Sequence, residues 1–484
     1  MSKPSVRTKL SRVRRSFFSD PSEEQPQTPI ARHPPREPFL DLGVRPMHLS
    51  TRAAAGPPNA LAIARADAAA RGIAITDLTD SNPTRHGLTD PSIMDVIARH
   101  LSQATRYTPD PKGWRPAREA LAARYGGRPD DYWLTASTSE AYSWLFAALC
   151  DAGDSVAVPV PGYPLIEPLA RLSAIVQKPY RAFYVHPHGW ELDVDSVSAA
   201  LTAPRVRALV TVNPNNPTGA YIRPEVGRAL GEMCAKVSLP IIADEVFFPY
   251  DLDADFTSPH KQTRDPVATA WPLDALPYSH RSRAPQSLVP RNALPAAPTS
   301  TSKRTRLADA VGPDTVVATL DGLSKLLAAP QLKLGWIRLT GPSDMTAPLA
   351  ATLDAIADTY LSVNSPVACA LPSLLQLADD TVERVRRRCR ADLDALSFLG
   401  DGFRARRTEG GWTALLDVPP VMDDDEFARW LLRAGLTAHP GWFYDVAGNS
   451  VIAVSLLPEP TVFTHCLRPL GAISLRAPGG NLDW

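Results

Sequence analysis

From Asp77 onward, short apolar runs alternate with longer segments that are apolar on one side only. That alternation predicts strands joined by crossover helices in a mainly parallel sheet. Ser155–Val160 (SVAVPV), Ala208–Val212, Pro240–Ala243 and Thr315–Leu320 are rich in β-branched residues and bounded by turn formers, as strands covered on both faces are. Tyr132–Thr135 is a further strand candidate. Between them, Ser139–Cys150, Leu165–Ile175 and Pro224–Lys236 each allow three helical turns with one apolar side. Pro224 suits a helix start, where its missing N–H costs nothing. In such sheets ligands lie beyond the carboxyl ends of the strands, so chemistry is expected just after each one.

Three stretches depart from this pattern. Met1 to Phe18 is basic but lacks the apolar centre of a signal peptide, and is expected to be a solvated tail rather than a transit peptide. Asp20 to Pro38 is dominated by Pro, Glu, Gln and Arg, too polar to offset the entropy of ordering. Phe256 to Val311 holds many Pro, Ser, Thr and Arg residues with little periodicity, and is expected to be an insertion, mostly disordered.

Composition narrows the function classes. A chain of 484 residues, 44% hydrophobic, is long enough for two or three domains with real cores. Its 51 Lys and Arg balance 51 Asp and Glu, so no global field draws it to nucleic acid or an anionic membrane. Neither is expected as a partner. No stretch approaches the run of about 18 apolar residues that spans a bilayer. The five cysteines are scattered without a C-x-x-C pair, which argues against a metal site and for a reducing, cytoplasmic setting.

Three strand ends carry distinctive residues: Asn213-Pro-Asn-Asn-Pro-Thr-Gly219, Asp244-Glu245, and Gly322-Leu-Ser324-Lys325. Taken singly, each has a plain explanation as a turn, a helix cap and a solvated lysine. Their order and spacing together resemble the class I aminotransferases of fold type I, from about Asp77 to Leu457 with the Pro-rich insertion left out. The match is most specific at NPNNPTG and at LSKLLAAPQLKLGW.

That resemblance implies an α/β fold of the PLP-transferase type, with a large domain whose mainly parallel sheet lies between helices and a smaller α+β domain. Residues 1–43 are then a disordered tail and 44–100 an N-terminal arm with part of the small domain. The large cofactor domain is 101–340, including the 256–311 insertion, and 341–484 is the C-terminal small domain.

The implied cofactor is pyridoxal 5'-phosphate (PLP), bound as a Schiff base by Lys325, which also serves as general base. By the same resemblance Asp244 pairs with the ring nitrogen, Asn216 with the ring hydroxyl oxygen, and Tyr163 stacks on the ring face. Ser137, Thr138 and Ser139 resemble the phosphate loop at a helix start. Ser324 lies beside the lysine, and Lys333 stands where the family usually has a phosphate-binding Arg. Tyr107 resembles the tyrosine that reaches the neighbouring subunit's phosphate, implying a homodimer.

Two positions depart from the family's pattern. Phe247 replaces a Tyr that donates to the ring hydroxyl oxygen, and Ala453 replaces the Arg that grips the substrate carboxylate. Gly410-Gly-Trp412 and Pro440-Gly-Trp-Phe443 match loops bordering the substrate cleft. The expected activity is a ping-pong amino transfer between an amino acid and a 2-oxo acid. A PLP lyase or decarboxylase of the same fold, and a silent PLP-binding protein, are the alternatives that the missing Arg raises.

Overall fold

The computed structural model describes residues 47–53, 56, 58–253, 304–399, 402–419, 423–446 and 450–471. The expected tail 1–43 and most of the expected insertion lie outside them. In chain order the strands are β1 (Thr76–Asp77), β2 (Tyr132–Thr135), β3 (Ser155–Val160), β4 (Val176–Val185), β5 (Gly189–Leu192), β6 (Val206–Val212) and β7 (Ile241–Asp244). They continue with β8 (Val317–Gly322), β9 (Gly335–Thr340), β10 (Arg404–Ala405), β11 (Thr413–Asp417), β12 (Leu436–Thr437), β13 (His439–Pro440) and β14 (Val451–Ser455).

Eight strands form the central sheet in the order β2-β9-β8-β7-β6-β3-β4-β5. β8, β7, β6, β3 and β4 run parallel, while β9 lies antiparallel between β2 and β8 and β5 closes the far edge antiparallel to β4. Alternation along the strands sorts their side chains between two apolar layers. Val156, Val158, Ala208, Val210, Ile242, Ala318 and Leu320 pack with Trp144, Leu145 and Phe146 of the Thr138–Leu149 helix. Ala157, Leu209, Ile241, Ala243 and Val317 face the opposite layer, with Leu230 and Cys234 of the Pro224–Lys236 helix. Helices on both faces leave only the strand ends open for chemistry.

Tyr132–Thr135, Ser155–Val160 and Pro224–Lys236 fall where the sequence predicts them. The helix expected over Leu165–Ile175 is shorter, Ile166–Leu172. Ala174 turns left-handed (φ +58°), and Ile175 donates its N–H to Ala170 O, which sends the chain into β4. The end of the expected insertion needs a larger correction. Leu307–Ala310 is a short helix, and Leu307 and Val311 belong to the core layer against Pro224–Lys236. Gly227 and Gly231 permit this contact, because a Cβ at either would stand 2.8 Å from Ala310 Cβ or 2.9 Å from Val311 Cβ. Disorder therefore cannot extend through 304–311.

A smaller sheet, β10-β11-β14-β13, and the parallel pair β1-β12 are built from the chain's later residues and Thr76–Asp77. Their core is continuous with that beneath the site. Leu415 aside, Ala414, Leu416, Ile452 and Val454 share one cluster with Leu78, Leu121, Leu326, Leu327 and Leu334.

Candidate active site

β6, β7 and β8 end side by side, with Val212 paired to Asp244 and Asp244 to Leu320. Beyond the last pairs, Asn213 N–H donates to Asp244 O (2.8 Å) and Glu245 N–H to Leu320 O (2.9 Å), so the three loops leave the sheet at one level. Asp244 is 3% exposed. Burial pushes its carboxyl up to about 7, against hydrogen bonding from Val246 N–H. The hydroxyls of the buried Tyr142 and the partly buried Tyr163 lie within its field: burial chiefly, and then the Asp244 charge, push Tyr142 well up and Tyr163 up to about 12.

The neighbouring acid does something else. Glu245, wholly buried, takes Arg306 Nη1 (2.9 Å), Leu307 N–H (2.8 Å) and Asn213 Nδ2 (2.9 Å). Arg306 also donates to Asp321 Oδ2 (3.2 Å), at the end of β8, whose carboxyl burial raises to about 6 against the pull of that guanidinium. One arginine thus ties the ends of β7 and β8 together four residues before Lys325. The sequence reading missed this network because its cation sits in the stretch taken for disordered; an Arg-Leu pair closing a Pro-rich run was the available signal.

Lys325 lies in the short Leu323–Leu326 helix that follows β8. Its Nζ stands 4.6 Å from the Trp412 ring centre and 5.1 Å from that of Phe247. Burial lowers its pKa to about 8, with Asp244 pulling the other way. Tyr250 holds the lysine's backbone, donating its hydroxyl to Lys325 O (2.5 Å), and packs edge-on to Trp412 with centres 5.1 Å apart. Tyr250 was not anticipated, since a buried tyrosine in an apolar stretch has no sequence signature.

The NPNNPTG loop folds onto this group. Asn215 Nδ2 donates to Pro161 O (3.2 Å), joining it to the loop that carries Tyr163. Gly219, at φ +69°, is required where the loop meets the small sheet, because a Cβ there would lie 2.6 Å from Thr408 Cγ2 and 2.7 Å from Gly410 O. Asn216 Oδ1 is buried with no hydrogen-bond partner among the described residues. Ser137 caps the Thr138–Leu149 helix, accepting Glu140 N–H at 3.2 Å, and Thr138 and Ser139 form its partly buried first turn.

Other expected positions are less engaged. Ser324 is partly buried beside Lys325. Lys333 is exposed, in a left-handed turn (φ +51°). Within one chain Tyr107 is not brought to Lys325: it is 70% exposed and lines a groove of about 220 Å³ with Trp114, Trp144 and Leu361.

The cluster around Ala453 is apolar. Ala453, on β14, is buried with Leu415, Tyr444, Val446 and Val451, and Trp190 packs against them. Arg406 stacks on Trp190 at 5.4 Å, but its Nε is engaged by Asp417 Oδ1 at 2.8 Å. His439, paired with Ala453, stacks on Phe443 and shares a 3.2 Å hydrogen bond with Tyr444. Burial lowers its pKa, against Asp77, so it is neutral rather than a stand-in cation.

Known proteins share parts of this sequence and this fold. The sequence profile of the class I and II aminotransferases matches residues 75–272, a span that stops before Lys325. The alanine aminotransferase of Mycobacterium bovis is 27% identical over 365 residues, 73% of this chain and 69% of that protein. The glutamate-pyruvate aminotransferase AlaA of Escherichia coli K12 is 28% identical over 63% of this chain and 64% of its own length. Among solved structures, the alanine aminotransferase of Pyrococcus furiosus superposes with a TM-score of 0.69 at 19% identity, covering 85% of this chain and 95% of its own.

Proposed function

We propose, for a chain that belongs to the class I and II aminotransferases and is a PLP-dependent transaminase, that Lys325 attaches the cofactor and that Asp244 and Asn216 orient its ring. The observation that carries this reading is the nearness of a buried acid at the end of β7 and a partly buried amine in the short helix that follows β8. Each is shifted toward its neutral form, Asp244 to about 7 and Lys325 to about 8. The residues fit the group: burial raises Asp244 despite the nearby Lys325 charge, so a protonated ring nitrogen beside it would be favoured, and Asn216 Oδ1 lacks any partner among the described residues.

When bound, PLP supplies an electron sink for charge developing at the substrate's α carbon. The chain's own groups do the rest. Asp244, dry and at the end of β7, would hold the ring nitrogen's proton. Ser137, Thr138 and Ser139 would turn the first-turn N–H groups of their helix to the phosphate, with Lys333 as a point charge. Tyr163 would cover one ring face. Lys325 Nζ, lowered to about 8, is in part the free amine at neutral pH, so it accepts and returns a proton at the α carbon. Phe247 and Trp412 border it with aromatic rings.

The substrates in this reading are an amino acid and a 2-oxo acid, exchanged in a ping-pong cycle, with the carboxylate held by something other than an Arg at position 453. Tyr107, exposed beside a groove of mixed polar and aromatic lining, supports a homodimer in which it serves the neighbouring site. Five unpaired cysteines support a reducing cytoplasm. The test is spectroscopic. Adding PLP should produce the yellow band of a lysine-bound cofactor, which bleaches when a mixture of amino acids is added. Lys325→Ala should give no band; a band that survives that change overturns the assignment.

A further inference from the structure

Phe247 removes a donor from the site, and another group beside Lys325 has one to spare. Trp412 is 2% exposed, yet its indole Nε1–H has no hydrogen-bond partner among the described residues. A buried N–H left unpaired is costly, so such groups normally meet an acceptor. The ring is not free to turn away. Gly411 N–H donates to Tyr250 O (3.0 Å), Leu456 N–H donates to Trp412 O (2.8 Å), and the indole is wedged edge-on between Phe247 (5.3 Å, 72°) and Tyr250 (5.1 Å, 67°). Gly410 allows this seating, because a Cβ there would fall 2.5 Å from Tyr221 Cε2.

The chemistry of PLP identifies the missing acceptor. The phenolic oxygen sits on the ring carbon next to the one bearing the aldehyde, and the aldehyde carbon is the one bonded to Lys325 Nζ. That oxygen is separated from Nζ by four bonds and so must lie within a few ångströms of it. Nζ lies over the Trp412 ring, 4.6 Å from its centre. Phe247, at 5.1 Å, borders Nζ too but has no donor.

We propose that Trp412 is a cofactor-binding residue whose indole N–H donates to the phenolic oxygen of PLP, in place of a hydroxyl at position 247. This rests on the cofactor reading above. A donor to that oxygen stabilises its anion most when the neighbouring nitrogen is unprotonated, so it lowers the pH at which the lysine-bound cofactor loses its proton.

The experiment is a pH titration of the visible band of the PLP-loaded protein, alongside PLP affinity, for wild type, Trp412→Phe and Trp412→Phe/Phe247→Tyr. Trp412→Phe keeps the aromatic ring and removes the N–H. It should raise the spectral midpoint by about one pH unit and weaken PLP binding several-fold, effects of the size of one hydrogen bond to a charged atom. The double variant, with a hydroxyl restored at 247, should return the midpoint toward the wild-type value. Thermal melting recorded on the same samples separates packing from donation. A lower melting temperature with an unchanged midpoint, or a change confined to the KM of the amino acid, overturns the assignment of this N–H to the cofactor. Absence of any band in wild type overturns the cofactor reading itself, which is thus distinguished from failure of the Trp412 claim alone.

Discussion

The two sides of the lysine are built on opposite electrostatic plans. Toward the sheet, Asn213, Glu245, Arg306 and Asp321 form a closed network in which each buried charge meets an opposite one or a donor. Toward the small sheet, Ala453, Leu415, Trp190 and Tyr444 offer apolar surface, and Arg406, which stacks on Trp190, is engaged by Asp417. The first side is fixed by pairing, and Asp244 stands outside that network with the Val246 N–H on its carboxyl. The second contributes shape and single donors. Holding PLP and selecting a substrate are thus separate problems in this chain, and their residues should respond differently to mutation.

The largest separation comes from Lys325→Ala. It should remove covalent PLP attachment and slow amino transfer by about 10⁴-fold, since attacking amine and general base are lost together. Folding should be intact, which far-UV circular dichroism would check. Arg306→Ala ranks next, and its effect should be on stability. Removing one partner of a buried ion pair costs about 3–5 kcal/mol because the remaining charges stay buried, and here two carboxylates are stranded, Glu245 and Asp321. A melting temperature within a few degrees of wild type would mean that the network does not tie β7 to β8.

Both regions were legible in the sequence to different depths. The order of strands and the residues at their ends could be read because β-branched runs and turn residues are local signals: β3 and the Pro224–Lys236 helix fall on the expected residues. Lys325, Asp244 and Asn216 were identified by resemblance, and the fold brings the first two together through pairing of β7 with β8. Arg306 was hidden because a buried cation inside a Pro-rich stretch looks like any solvated arginine until its two carboxylates, 61 and 15 residues away, are placed beside it. The unpartnered indole of Trp412 could not be read either. Whether a Trp N–H is satisfied is a property of three-dimensional neighbours, not of the Gly-Gly-Trp motif.

A smaller effect concerns pH. A solvated lysine attaches an aldehyde faster with rising pH until about 10.5, whereas Lys325 is lowered to about 8 by burial. The charged form is therefore the disfavoured one, and the reactive free amine dominates above about pH 8. Below that point each unit should slow PLP attachment to the cofactor-free protein about tenfold, and above it the rate should level off. Stopped-flow absorbance between pH 6 and 10 would follow the curve. A rate still climbing above pH 9 would place Lys325 in water, in conflict with the Phe247 and Trp412 walls.

The smallest expected effect tests the apolar side. A bidentate arginine gives a carboxylate two charge-assisted hydrogen bonds, together about 3 kcal/mol or more, which discriminates an amino acid from the amine lacking its carboxylate by over a hundredfold. Ala453 offers nothing comparable, and His439 beside it is neutral. The half-reaction rates of an α-amino acid and the matching amine, compared by the bleaching of the bound cofactor at equal concentration, should differ by about tenfold or less. A ratio above a hundred would show that a charged anchor is supplied by a group other than the residue at 453. In that case Ala453 marks a relocated anchor instead of a lost one, and the apolar side of the comparison would have to be redrawn around its new cation.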